Sequence, residues 1–147
     1  MLLDERNEGC PACAAASKHG SDGPFCPVET TLGLIGGKYK ALILWRLMEG
    51  PLRFSQLSRI VTCATPRMLT RQLRELEADH LVHREAYPEV PVRVEYSLTD
   101  AGKSIYPILE AMYRWGSGYL ARQGKAVGCA MRPPLGFDPK SLEDQGK

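Results

Sequence analysis

Apolar residues through the middle of the chain recur every three or four positions, which is the spacing of helices with one buried face. Cys26-Pro27 begins the first predicted helix, because proline is tolerated in a first turn where its missing N–H is not needed, and Gly36 ends it. Thr65-Pro66 begins another helix in the same way, with Thr65 as its N-cap. The pattern predicts helices over about 27–35, 38–49, 55–60, 66–79 and 101–122.

Before the last helix the apolar period changes to two. Residues 81–87 and 92–98 alternate apolar and polar side chains on either side of a proline-rich PEVP turn, which predicts a β-hairpin. In the second strand, Tyr96 and Leu98 share a face with Val92 and Val94. Two closely joined helices followed by a hairpin are typical of a winged helix-turn-helix. We therefore expect a mainly α fold with a small β-hairpin wing, of the α+β class.

The composition indicates one folded domain between two tails. The chain has 147 residues, of which 44% are hydrophobic and 24% are charged, as in ordinary globular domains. Residues 1–25 are rich in Gly, Ala, Ser and Cys and predict a flexible N-terminal arm, residues 26–123 the domain, and residues 124–147 a C-terminal tail. No run of about 18 apolar residues and no signal region is visible, so we expect a cytoplasmic protein without a membrane span.

Positive charge is concentrated in the middle of the chain, although the formal net charge is only +2. Eight lysines and arginines lie between Lys38 and Arg74, where Glu49 is the single acidic residue. Such local asymmetry is what a phosphate-binding face needs. The periodicity of the fourth helix sets three leucines against three arginines on the opposite face, Leu69, Leu73 and Leu76 against Arg67, Arg71 and Arg74.

These residue types suit the major groove of duplex DNA. Guanidinium groups match both phosphate oxygens and the O6/N7 edge of guanine, and the first residues of a recognition helix usually reach the bases. Further candidate DNA contacts are Thr65 and Thr70 on the same helix, Ser55 at the start of the third helix, Lys38 and Lys40 at the start of the second, and Arg93 beside the wing turn.

The last helix carries a long apolar stripe for so small a domain. Ile108, Met112 and Trp115 lie at its centre. If unpaired, the stripe would be an exposed apolar patch, so we expect part of it to pack against a second copy of the chain. A homodimer of this kind places two recognition helices on half-sites about one DNA turn apart.

Five motifs carry a family resemblance: CPVE, IGGK, GPLRFSQL, PRMLTRQLRELE and YPEVPVRVEYSLTDAG. Together they closely resemble the HxlR-type transcriptional regulators, relatives of the MarR group, over about residues 26–115. The resemblance implies a winged helix that dimerises largely through terminal helices and binds a pseudo-palindromic operator. By position, the recognition helix is 65–79 and the wing is 82–98. The expected function is therefore a sequence-specific, duplex-DNA-binding transcriptional regulator, and we expect a repressor.

The five cysteines are interpreted as thiols, because disulfides are rare in cytoplasmic proteins. Cys26 lies at the start of the first helix, where unpaired N–H groups and the helix dipole favour a thiolate, the form that attacks oxidants and electrophiles. It matches the cysteine before Pro-Val in the resembling family, several members of which sense reactive species through a thiol. Cys26 is the candidate sensor, unless it packs as a small apolar residue. Its candidate partners are Cys63, Cys129, Cys10 and Cys13.

Other functions leave weaker signals in the sequence. The three histidines have neither metal-binding nor catalytic spacing, and no glycine-rich phosphate loop is present, so we expect neither an enzyme nor a cofactor. Cys10-x-x-Cys13 with Cys26 and His19 leaves three alternatives open, namely zinc ligands, a redox pair or free thiols. The remaining alternative is a winged helix that binds a protein and no specific DNA.

Overall fold

The computed structural model describes residues 25–126 and 133–134. The chain divides into two compact units, Met1–Gly36 and Gly37–Lys147. In the described part of the first unit, helix α1 spans Pro27–Ile35. Its start agrees with the sequence prediction. The backbone N–H of Thr30 donates to the carbonyl of Cys26 at 2.9 Å, so Cys26 is the N-cap. Most of both predicted tails lies outside the described residues, and the predicted domain bounds stay a prediction.

The described part of the second unit has the predicted order of helices followed by a hairpin and a last helical segment. The expected fold class is confirmed: the unit is rich in helix and carries a small antiparallel sheet. None of the described helices has the length and apolar character that crossing a bilayer requires. The elements are α2 Lys40–Leu47, β1 Leu52–Arg53, α3 Phe54–Ile60, α4 Pro66–Ala78, β2 Val82–Tyr87, β3 Arg93–Leu98, α5 Asp100–Ser104 and α6 Tyr106–Arg122.

The sequence pattern missed strand β1. The sheet has the order β1-β3-β2, with Leu52 opposite Tyr96 and Arg53 opposite Glu95. Two residues are too few for an alternation to be visible along the chain. The strand forms because β3 would otherwise leave one edge of backbone donors and acceptors unpaired.

The predicted last helix is interrupted near Ile105, so that α5 and α6 are separate helices. The cause is local, since Pro107 has no N–H to donate to the carbonyl one turn earlier. The N–H of Ile105 donates to the carbonyl of Gly102 at 3.4 Å, a contact three residues back.

Gly102 joins α5 to the base of the wing. A Cβ atom at this position would collide with the carbonyl oxygen of Leu81, so only glycine allows the approach. The hydroxyl oxygen of Thr99 accepts from the N–H of Gly102 at 3.0 Å, and the same hydroxyl donates to the carbonyl of His80 at 2.6 Å. Both ends of the hairpin are thereby fixed to the helix that follows it.

The core lies where α2, α3 and α4 meet the sheet. Aromatic stacking extends it to the last helix, because the ring of Trp45 lies 5.5 Å from that of Tyr106 and 5.9 Å from that of Tyr113. The most completely buried side chains are Ile43, Leu44, Leu57, Val61, Leu69, Leu73, Leu76, Val82 and Leu109.

Lys40 is buried, which corrects the expectation that it contacts phosphate. It is only 6% exposed, and its Nζ lies 2.7 Å from Oε2 of Glu75. The hydrogen bond and charge of Lys40, followed by those of Arg71, hold the pKa of Glu75 below its ordinary value of 4.5. The first turn of α2 is therefore tied to the middle of α4, a contact between distant segments that periodicity does not reveal.

We predict that Glu75→Gln lowers the melting temperature at neutral pH, because it leaves the buried ammonium of Lys40 without an anionic partner. Since the native pKa of Glu75 lies below 4.5, its stabilisation is fully present above pH 4.5 and is lost as the pH falls through the native value. The difference in melting temperature between wild type and variant should therefore shrink in acid. The control is Glu77→Gln, an exposed carboxylate on the same helix, which should change little. Equal melting temperatures for both variants at pH 7 would contradict the assignment.

Candidate nucleic-acid interface

Helix α4 has the start that the sequence predicts. The hydroxyl oxygen of Thr65 accepts from the backbone N–H of Met68 at 3.2 Å, and Pro66 occupies the first turn. Leu69 and Leu73 are each 1% exposed and Leu76 is fully buried. One face of the helix is thus fixed against the core along its whole length.

The opposite face of α4 presents the three arginines to solvent. Arg67, Arg71 and Arg74 are all exposed, and the Nε of Arg71 lies 3.3 Å from Oε1 of Glu75. They line an open groove of about 710 Å³ together with Phe54, Pro66, Thr70, Glu75 and Ala78. Among the residues that the structure describes, neither Arg67 nor Arg74 forms an ion pair. The groove therefore has a net positive charge. Its one acidic lining residue, Glu75, is already paired with Lys40 and Arg71.

Lys38, at the start of the second unit, differs from Lys40. Its side chain is exposed and its Nζ lies 5.5 Å from the ring centre of Tyr39. The Tyr39 hydroxyl donates to the carbonyl of Cys63 at 3.2 Å. Lys38 thus keeps an accessible charge.

The wing holds Arg93 more tightly than the sequence suggests. Its guanidinium lies over the ring of Tyr87 at 4.1 Å and its Nη2 lies 3.4 Å from Oε1 of Glu89, and 27% of the side chain is exposed. The charge of Glu85 and partial burial raise the pKa of Tyr87. Arg93 therefore has both a stacking partner and an ion-pair partner within the wing, and its predicted DNA contact stays a prediction.

A second cleft lies between the wing and helices α3 and α4. It has a volume of about 620 Å³, and Ser55 and Thr70 line it from the helices. From the wing it is lined by Arg84, which sequence reasoning missed. The available signal was the alternation along β2, which places Arg84 on the same face as Val82 and Ala86. The structure shows that Arg84 lies opposite Tyr96.

The exposed stripe of α6 is the largest apolar feature of the last helix. On the inner side, Ile105 just before the helix and Leu109 within it are buried, at 8% and 1% exposure. Outward lie Ile108, Met112, Trp115 and Tyr119, with exposures of 42%, 47%, 66% and 46%. The rings of Trp115 and Tyr119 stack at 5.3 Å.

Two of the five cysteines lie in the described residues. Cys26 is the N-cap of α1, is partly exposed, and makes no capping bond with its side chain. Cys63 is an exposed free thiol in the loop before α4. Cys10, Cys13, His19 and Cys129 lie outside the described residues. Within the described part of the chain, no three His, Cys, Asp or Glu side chains are grouped to hold a metal.

Comparisons with known proteins agree with this geometry. An uncharacterised HTH-type transcriptional regulator of Methanothermobacter thermautotrophicus is 53% identical over 104 residues, which are 71% of this chain and 79% of that protein. The reduced form of the redox regulator HypR is 52% identical with a TM-score of 0.60, over 62% of this chain and 90% of HypR.

A third similar protein is the transcriptional regulator YodB of Bacillus subtilis. Its reduced form is 33% identical with a TM-score of 0.58, over 65% of this chain and 95% of YodB. YodB has also been crystallised after diamide treatment and with a bound quinone. The model of the HxlR-like helix-turn-helix family matches residues 34–124. The chain therefore belongs to the HxlR-like helix-turn-helix family of transcriptional regulators.

Proposed function

We propose that the protein is a sequence-specific repressor that binds an operator in duplex DNA. The observation that carries this proposal is the exposed arginine face of α4, held outward by three buried leucines. An α-helix fits the major groove, and arginine pairs with the O6/N7 edge of guanine. The open groove beside these arginines supplies the space that a phosphate backbone or base edge needs.

The roles of the other candidates follow from their positions. Arg71 lies near the centre of the exposed face and is the proposed base-reading residue. Thr65 and Thr70 border it at the start of α4 and beside the second cleft, where Ser55 also lies. Lys38 contributes a charge towards phosphate. In this proposal, residues 26–123 form the DNA-binding and dimerisation domain, between an arm at 1–25 and a tail at 124–147.

Homodimerisation is part of the proposal. A face with four large apolar side chains more than 40% exposed is unfavourable in water unless a partner covers it. A second copy of the chain supplies an identical face, as a two-fold interface requires. The dimer doubles the DNA contacts, since each recognition helix reads one half-site.

Oxidation or electrophile modification of Cys26 is the proposed signal. HypR is known in reduced and oxidised forms and YodB with a bound quinone, and Cys26 is partly exposed here. With diamide, two thiols lose two protons and two electrons to the N=N bond, which becomes a hydrazine, and a disulfide forms. A quinone instead adds the thiolate to its ring. Because the half-sites keep a fixed spacing, a small rotation of the recognition helices is enough to release DNA.

We predict that a triple variant with Arg67, Arg71 and Arg74 changed to alanine binds the operator at least about 100-fold more weakly, because Arg71 reads a base edge, which contributes about 1–3 kcal/mol, and the loss of Arg67 and Arg74 removes two further positive charges from the DNA-binding face. Arg71→Ala alone should relax specificity at one base position. Gel-shift titration with the promoter region of the protein's own gene measures both effects. Lys103→Ala, exposed on α5, is the control. A folded triple variant with wild-type affinity would show that α4 is not the recognition helix.

For the dimer, sedimentation at micromolar concentration should give twice the chain mass of 16.3 kDa. Trp115→Glu puts a charge on the exposed stripe and should shift the protein to monomer, because an ion buried in an apolar interface is costly. Lys103→Glu makes a change away from the stripe and should leave the dimer intact. The dimer assignment fails if the wild-type protein sediments as a monomer.

For the thiol switch, DNA binding by the wild type should fall after treatment with diamide or with a quinone. Dithiothreitol should restore binding only after diamide, because it reduces a disulfide but not the thioether that a quinone forms. Cys26→Ser should keep its affinity under both treatments. Mass spectrometry of the thiols identifies the modified residue. Equal loss in wild type and Cys26→Ser would move the sensor elsewhere, with Cys63→Ser as the next variant. No loss in either protein would leave a regulator without a thiol switch.

A further inference from the structure

The two faces of the wing differ in charge. Strands β2 and β3 pair Arg84 with Tyr96 and, one position further, Glu85 with Glu95. Successive side chains of a strand point to opposite faces of the sheet. The two carboxylates therefore share one face, and Arg84 shares the other with the buried ring of Tyr96. The carboxylate face also carries Arg53 and Arg93, so its charges balance, whereas Arg84 is the one charged residue of the described strands on the other face.

The face that carries Arg84 opens into the second cleft, next to the recognition helix. Arg84 and Ser55 are both exposed there, on opposite walls of a space of about 620 Å³. Thr70 borders this cleft and also the groove of the α4 arginines, so the two spaces are adjacent. A DNA backbone bound beside α4 would therefore pass the mouth of the cleft.

Arg84 and Arg93 line this cleft from the wing together with Glu89, and Arg53 lines it beside the helices, but their charges are not equally available to an anion. Glu89 lies at 3.4 Å from Arg93, which compensates that guanidinium and leaves it stacked on Tyr87. Arg84 has no ion pair with any residue that the structure describes. Its guanidinium is the one on the wing whose charge is available to an external anion without breaking an existing pair.

We propose that Arg84, and not Arg93, is the wing residue that contacts the DNA backbone, where it binds one phosphodiester group with Ser55 on the opposite wall. The assignment rests on the proposed DNA-binding function and adds the wing contact to it. Phosphate contacts position a protein on the duplex and carry no sequence information. The contribution of Arg84 is therefore the same for the operator and for unrelated DNA.

The test is the salt dependence of binding for Arg84→Ala, Arg93→Ala and Arg84→Lys. Each phosphate contact contributes about 0.9 to the slope of log K against log salt, so Arg84→Ala should lower the slope by about 0.9 per protomer, or about 1.8 for a dimer. The affinity ratio of wild type to variant should then fall about 12-fold between 50 and 200 mM salt for a dimer. Arg93→Ala should leave the slope unchanged, and Arg84→Lys should restore most of it.

Both an operator duplex and an unrelated duplex of equal length are titrated, and thermal unfolding confirms that each variant is folded. A wild-type slope for Arg84→Ala, or a lower slope for Arg93→Ala, overturns the assignment. An effect of Arg84→Ala on the operator alone would make it a base-reading residue and also overturn it. The α4 triple variant is titrated beside them. If that variant binds normally, the proposed function itself fails, whereas its weak binding with a normal Arg84→Ala rejects only the wing contact.

Discussion

Burial of the leucine face of α4 is the constraint on which the rest of the site depends. Each of Leu69, Leu73 and Leu76 contributes about 1.5–3 kcal/mol when it leaves water. The opposite rotation of the helix would expose all three and bury three guanidinium groups, each at a large desolvation cost. The helix therefore has one stable orientation, and in that orientation Arg67, Arg71 and Arg74 face solvent. The same helical periodicity therefore packs the leucines into the core and exposes the arginines to solvent.

Contacts from other elements hold this helix in place. Lys40 binds Glu75 from α2, and Trp45 on α2 stacks on Tyr106 and Tyr113 of α6. Helices α4 and α6 are thus connected through α2. A change in the relative position of two α6 helices in the proposed dimer is expected to carry the arginine faces with it, since packed cores shift as units.

In the wing, the local partners of each arginine determine whether its charge is available to an external anion. Arg93 and Arg84 both belong to the hairpin and both line the cleft beside the helices, yet Arg93 is paired with Glu89 and stacked on Tyr87, whereas Arg84 forms no ion pair with any residue that the structure describes. From the sequence alone, an arginine beside a turn is a candidate DNA contact. The neighbours of its side chain decide whether its charge is available, and those neighbours are supplied by the folded hairpin.

The sequence by itself determined the order of helices and hairpin, the cap at Thr65, the leucine and arginine faces of α4 and the apolar stripe of the last helix. These features depend on residues within a few positions of one another, so a period or a capping residue is enough to reveal them. Only the tertiary structure decided that Lys40 is buried against Glu75, that β1 pairs with β3, and that Arg84 shares a cleft with Ser55. Each of these joins segments far apart in the chain, and such contacts arise from packing, which leaves no periodic signal along the sequence.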